Sequence, residues 1–109
     1  RRRAVTDMAA YMIIHARVHD RAKFLAGYAR EAAALVERCG GRYVLRAPGA
    51  ECLEGDLGDG SSVVISEWPD MDAARAFWHS PEYADVKNLR EGICDVDVML
   101  VESPPIAGE

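Results

Sequence analysis

The residues best suited to chemistry cluster in two stretches. The first is Tyr11-Met-Ile-Ile-His-Ala-Arg-Val18, in which polar and apolar residues alternate. As a strand it puts Tyr11, Ile13, His15 and Arg17 on one side and Met12, Ile14, Ala16 and Val18 on the other. The second side is apolar and suits burial under helices. The first is mixed, and it carries His15, a residue type whose reference pKa lies near physiological pH and which can therefore move a proton. Tyr11, two strand steps along the same row, can present a hydroxyl. Both are the candidate catalytic residues. The second stretch is Arg42 to Ala47, where Arg46 stands on an otherwise largely apolar strand. A guanidinium held there needs a partner. Either Glu54 supplies it from within the chain, or a ligand carboxylate does so through a bidentate fork.

Other candidates carry weaker signals. Trp68, Trp78 and Tyr83 form an aromatic set near a sheet–helix junction, suited to a core, although the Tyr83 hydroxyl can face a pocket. His19 reads as a rim residue beside Asp20, and His79 as a helix-end residue. Arg75 and Arg90 sit on helices, where they can tie helix ends to carboxylates. The three histidines form neither HxH nor HExxH, and Cys39, Cys52 and Cys94 form no CxxC. No metal site and no disulfide framework is therefore expected. A glycine-rich phosphate loop and a GxGxxG turn are both missing from the sequence, so no resident cofactor is expected either.

The elements that must position these residues follow from periodicity. Strand one covers about residues 9 to 18. Asp20 can cap a helix over about 21 to 39, whose apolar stripe is Phe24, Tyr28, Ala32, Leu35 and Cys39. Gly40-Gly41 stops it. In strand two, Arg42 to Ala47, simple alternation groups Arg42, Val44 and Arg46 on one face and Tyr43 and Leu45 on the other. Glu51 to Glu54 reads as a possible short strand before the turn at Gly58-Asp59-Gly60, and strand three is Ser61 to Trp68. A helix over about 71 to 79 follows, then a shorter one started by Ser80-Pro81. Strand four is about Asp95 to Glu102.

The order β-α-β-β-α-β is that of the ferredoxin-like split arrangement, an α+β sandwich with a four-stranded antiparallel sheet and helices on one face. A single domain over residues 4–103 and a flexible tail over 104–109 are expected, with Arg1 to Arg3 a loose basic run. Ile13, Val44, Val63, Ile65, Met99 and Val101 fall on the open face. Exposing several hundred Å² of such surface forfeits several kcal/mol at about 25 cal/mol per Å². A second copy is the expected cover. The net charge of −5 argues against a nucleic-acid partner, which would need concentrated Lys and Arg. No apolar run reaches the ~20 residues of a membrane span, and a cytoplasmic setting is expected.

The chain also carries an ordered series of short features: Val18-His19-Asp20 before Phe24 and Tyr28; Gly40-Gly41-Arg42-Tyr43 and Arg46; Glu54-Gly55-Asp56; then Pro69, Ala74-Arg75, Trp78, Ser80-Pro81-Glu82-Tyr83 and Leu89-Arg90. The series resembles domain of unknown function 1330, within the dimeric α+β barrel superfamily. The resemblance covers about residues 9 to 102. It implies a protomer that pairs through its open sheet face into a homodimeric barrel, similar in fold to small monooxygenases that use no cofactor. The family carries no assigned reaction. The positions that match it are Arg46, Glu54, Trp78, Ser80, Tyr83 and Arg90, and of these Arg46, Glu54, Trp78, Tyr83 and Arg90 are the candidate ligand-binding residues. This sequence departs from the family in having Ala47-Pro48 after Arg46, Leu57 after Glu-Gly-Asp, and Trp68 before Pro69. The expected function is binding or conversion of a small polar or aromatic carboxylate in a pocket on the inner sheet face. The alternative is a non-catalytic dimeric structural or partner-binding module.

Overall fold

The computed structural model describes residues 8–104. The expected loose runs, Arg1 to Arg3 and Ile106 to Glu109, lie outside the described residues. Strand β1 (Ala9–Val18) leads into a helical segment built in three pieces: α1 (Arg21–Phe24), a π turn (Leu25–Ala29) and α2 (Arg30–Arg38). Then come β2 (Arg42–Ala47), β3 (Ser62–Trp68), α3 (Met71–Trp78), α4 (Pro81–Asn88) and β4 (Cys94–Ser103). The caps are those the sequence announces. Asp20, Asp70 and Ser80 each accept a hydrogen bond from a backbone N–H three residues on, which satisfies one orphan donor of each helix start.

The four strands form one antiparallel sheet in the order β2-β3-β1-β4. β1 is central because both its neighbours are long: it pairs with β3 from Ala10 to Ala16 and with β4 along its whole length. The helices cover the face that carries Met12, Ser66 and Trp68. The core lies there, with Ala10, Met12, Leu35, Val36, Trp68, Ala74, Phe77 and Tyr83 buried together. Trp68, Phe77, Tyr83 and Trp78 pack ring on ring, with successive centroids 4.8, 4.7 and 5.1 Å apart. The Trp68 indole N–H donates to the Ser66 hydroxyl at 2.9 Å, so neither polar group is left unpaired in the core.

The structure corrects four expectations. The sheet is not closed into a barrel: β2 and β4 are free edges of an open four-stranded sheet. The barrel half of the resemblance therefore falls, and the homodimer that came with it is not matched by this one-protomer structure. Glu51 to Glu54 is not a strand. Its segment is a loop in which the Asp59 carboxylate accepts the Cys52 N–H at 2.7 Å, and Gly55, Gly58 and Gly60 take positive φ. Strand alternation across β2 also fails. A register irregularity between Tyr43 and Leu45 sets Tyr43 opposite Ser66, Leu45 opposite Ile65 and Arg46 opposite Val64. This bulge uses Val44 as the extra residue and so turns Arg46 onto the face of Tyr43, under the helices. Finally, the single helix of 21–39 is broken by the π turn, and Cys39 is exposed, not part of the buried stripe.

One glycine is fixed by packing. A Cβ on Gly41 would stand 2.8 Å from atoms of the Trp68 indole ring, which is only 1% exposed. Gly41→Ala is expected to cost about 1–3 kcal/mol by overpacking the core. Thermal denaturation followed by circular dichroism checks this, and a Tm fall of at least about 4 °C is the expected result.

Candidate functional site

The site begins with a mismatch of layers. α1 and the π turn contain no buried residue, yet they lie over the sheet. Beneath them the sheet carries small side chains, Ala16 on β1 and Ser62 on β3. A cavity of about 300 Å³ occupies the gap. Its floor is Ile14, Ala16, Ser62, Val64 and Val96, and its roof is Phe24, Leu25, Tyr28 and Ala29. Tyr43, Arg46, Ala47 and Pro48 wall the β2 side, and Arg21 stands at the helix side. The π turn adds one residue to its turn of helix, a feature frequent at functional sites.

Charge enters the cavity only at its rim. The Arg46 guanidinium lies over the Tyr43 ring, 5.1 Å from the centroid. Stacking on an aromatic face holds the planar fork in place and leaves its N–H edges free to donate. Among the described residues Arg46 forms no ion pair; the pairs are His19–Asp95, Arg42–Glu67 and Arg75–Asp72. Arg21 donates to the Ser62 hydroxyl at 3.4 Å, a long contact reaching from α1 to the sheet. No carboxylate lines this space.

Behind the cavity the Tyr28 and Tyr83 hydroxyls hydrogen-bond to each other at 2.7 Å. Burial, reinforced by the neighbouring Tyr83 hydroxyl, pushes the Tyr28 phenol well above its ordinary range. Burial also raises Tyr43, against the opposing pull of Arg46. Both phenols are therefore protonated at neutral pH, and they are hydrogen-bond donors and acceptors, not bases. Arg90 lies over the other side of Tyr28, 5.5 Å from the ring centroid, and its buried Nε has no hydrogen-bond partner.

The candidates named from the sequence do not all converge. Arg46 lines the cavity; Tyr83, Trp78 and Arg90 form the aromatic layer behind Tyr28. The Lys87 ammonium covers Trp78, 4.9 Å from its ring centroid. Glu54 is exposed in the loop, away from Arg46, where its carbonyl accepts from the Cys52 thiol at 3.4 Å. His15 and Tyr11 point to the opposite, open face of the sheet. Tyr11 donates to the Glu67 carboxylate at 2.9 Å, and Glu67 also holds Arg42. His15 sits in the row between Val63 and Asp97, and its Nε2 is buried without a partner. The pocket expected on the open face thus lies on the helix face instead. Reasoning from periodicity missed Phe24, Leu25, Tyr28 and Tyr43 as pocket residues, because helical stripes and strand aromatics read as core. The run of small residues facing them, Ala16, Ser62 and Ala47, is the signal that marks the gap.

An open antiparallel sheet, helices on one face and a largely apolar cleft with a cationic rim define a small α+β protein with a cleft between helix and sheet. The chain belongs to the domain of unknown function family DUF1330, whose model matches residues 9–104. Comparison with curated proteins finds no match. Among solved structures, RPA0582 of Rhodopseudomonas palustris, a protein of unknown function, is 22% identical with a TM-score of 0.71, over 92% of this chain and 84% of that one. SnoaB of Streptomyces nogalater, a cofactor-independent oxygenase, is 24% identical with a TM-score of 0.66, over 95% of this chain and 100% of that one. A putative antibiotic biosynthesis monooxygenase from Caulobacter crescentus is 10% identical with a TM-score of 0.57, over 92% of each chain. These likenesses establish the fold. No helix among the described residues is long and apolar enough to cross a membrane.

The raised Tyr28 phenol has a consequence for stability. In the unfolded chain it ionises near its ordinary value of 10.0, while in the fold it stays protonated. Below that value its contribution is fully present. As pH rises past it, the unfolded state loses protons first and stability falls. From about pH 8 to about pH 11 the Tm of the parent protein should drop more steeply than that of Tyr28→Phe. Scanning calorimetry across that range checks the difference in slope.

Proposed function

We propose that the protein binds a small organic anion with an apolar, ring-sized body, its carboxylate held at the cavity rim by Arg46. The observation that carries this reading is the stacked, unpaired Arg46 guanidinium on a cavity of about 300 Å³ with no acidic residue in its lining. Apolar walls with a few placed polar groups are the usual form of a small-molecule site, and a lone fork selects a planar anion. Bound in this way, the anion's body lies between Tyr28, Phe24 and the sheet floor, with the Tyr28–Tyr83 pair limiting its depth.

A second reading is oxygenation of that bound molecule without a resident cofactor. The fold likeness to SnoaB and to the Caulobacter protein supports it. The substrate itself would then supply the electrons for dioxygen. Tyr28 and Tyr43, both held protonated, would orient the substrate by donating hydrogen bonds. His15 and Tyr11, named from the sequence as proton-moving residues, lie across the sheet from this cavity and do not line it.

We also propose that a second copy of the chain covers the open sheet face. Met99 is 59% exposed there, and Leu45 and Val101 are 41% and 40% exposed, beside the half-buried Ile13, Val63 and Ile65. The patch lies on a flat sheet face and is self-complementary in character, which suits a twofold pair. The cytoplasm is the proposed setting, a reading supported by the three free cysteines.

Two measurements test these statements. In a thermal-shift screen of small aromatic and aliphatic carboxylates, hits should bind Arg46→Gln about tenfold more weakly, as loss of a charge-assisted fork predicts. Equal binding by the variant would remove the anion role. Light scattering after size-exclusion chromatography should give a dimer mass for the parent and a monomer mass for Met99→Glu; a folded monomeric parent at micromolar concentration would rule out the pairing.

A further inference from the structure

The cleft over the sheet carries a second guanidinium besides that of Arg46. Arg21 lines it from the start of α1, and its Nη2 donates to the Ser62 hydroxyl at 3.4 Å. Among the described residues neither arginine forms an ion pair, and no carboxylate lines the cleft. Acidic partners are not scarce, since the chain has 18 Asp and Glu against 13 Lys and Arg. Two like charges therefore share one small space with nothing of opposite sign in its lining. They repel each other, and the field they set up favours an anion that answers both.

The register of β3 gives the spacing of the two forks. Ser62, which accepts from Arg21, and Val64, which stands opposite Arg46, are two residues apart on the face that floors the cleft. Two strand residues span about 7 Å. The Arg46 head is held on the Tyr43 ring, and Tyr43 stands opposite Ser66, farther still from Ser62. A single carboxylate serves both forks only if each lies within about 3 Å of one of its oxygens, which this spacing does not allow. Between the two cationic ends the lining is apolar, with Ile14, Ala16 and Val64 below and Phe24 and Leu25 above.

We propose that the cleft takes a dicarboxylic acid with a compact apolar middle, one carboxylate on Arg46 and the other on Arg21 and Ser62. The inference rests on the anion reading given above and narrows it from one acidic group to two. Arg21 is then the residue that separates diacids from monoacids. Ser62 serves the same end of the ligand, because its hydroxyl accepts from Arg21 and still has a proton to donate to the second carboxylate.

The probes are terephthalate and its half-amide, alike in shape and differing by one charge, with pimelate and its half-amide as a flexible pair. Isothermal titration calorimetry on the full chain measures each Kd. In the parent protein the diacid of at least one pair should bind about tenfold more tightly than its half-amide, the gain of a second charge-assisted fork. In Arg21→Gln that diacid should fall to within about twofold of the half-amide, whose own affinity stays as it was. Equal binding of diacid and half-amide by the parent, or an advantage that survives Arg21→Gln, would overturn the proposal. So would a parent that binds monoacids but neither diacid. The comparison within the parent uses no variant, so it decides the matter even if Arg21→Gln does not fold. The anion reading fails separately: if Arg46→Gln binds every acid as well as the parent does, no carboxylate sits at Arg46, whatever Arg21 contributes.

Discussion

The hydrogen bond between Tyr28 and Tyr83 sets the spacing on which the rest of the helix layer depends. Tyr83 is fixed: it is 3% exposed, on α4, between Phe77 and Trp78. Tyr28 belongs to the π turn, none of whose residues is fully buried. Through one contact of 2.7 Å the well-packed end of the layer holds up the unpacked end. Were that contact absent, Phe24 and Leu25 would be free to fall onto Ala16 and Ser62, and the hydrophobic gain of closing the gap would favour collapse. A cavity of this size persists only where something stiff resists that gain. The aromatic stack from Trp68 to Trp78 supplies the stiffness.

The two faces of the sheet divide the polar chemistry between them. On the open face Glu67 accepts from both Tyr11 and Arg42, a closed network whose members satisfy one another. On the helix face Arg46 is stacked but unpaired, and the phenols behind it keep their protons. The network on the open face is closed on itself, whereas Arg46 is exposed at the cavity and forms no ion pair among the described residues. Position therefore separates groups that look equivalent in the sequence: Arg42 and Arg46 are four residues apart and both exposed, yet one is paired with Glu67 on the open face and the other stacks on Tyr43 beside the cavity.

Much of the fold was legible in the sequence because its signals are local. Alternation in Tyr11 to Val18, the helix starts at Asp20 and Ser80, and the Gly40-Gly41 stop each act within a few residues. Together they give the order of elements and the open antiparallel sheet. What stayed hidden depends on contacts between distant residues. The Val44 bulge arises where β2 pairs with β3, and nothing within Arg42 to Ala47 announces it. The π turn inserts no breaker residue, so Leu25 to Ala29 reads as ordinary helix. Barrel closure was inferred from family likeness and not from any residue, and the free edges of β2 and β4 correct it.

The candidate site followed the same division. Arg46 was recognisable from its type, a guanidinium on an apolar strand. Its direction was not, since a one-residue slip exchanges the faces of everything beyond it. Strict alternation would send Arg46 to the open face, the face of His15, and would leave Tyr43 with Leu45 under the helices. With the bulge, Tyr43 and Arg46 share a face, the ring supports the fork, and both close one wall of the cavity. The pairing of an aromatic with a cation in Arg42-Tyr-Val-Leu-Arg46 makes sense only with that extra residue counted. The one irregular position in β2 is thus what puts Arg46 on the face of Tyr43, where it lines the cavity.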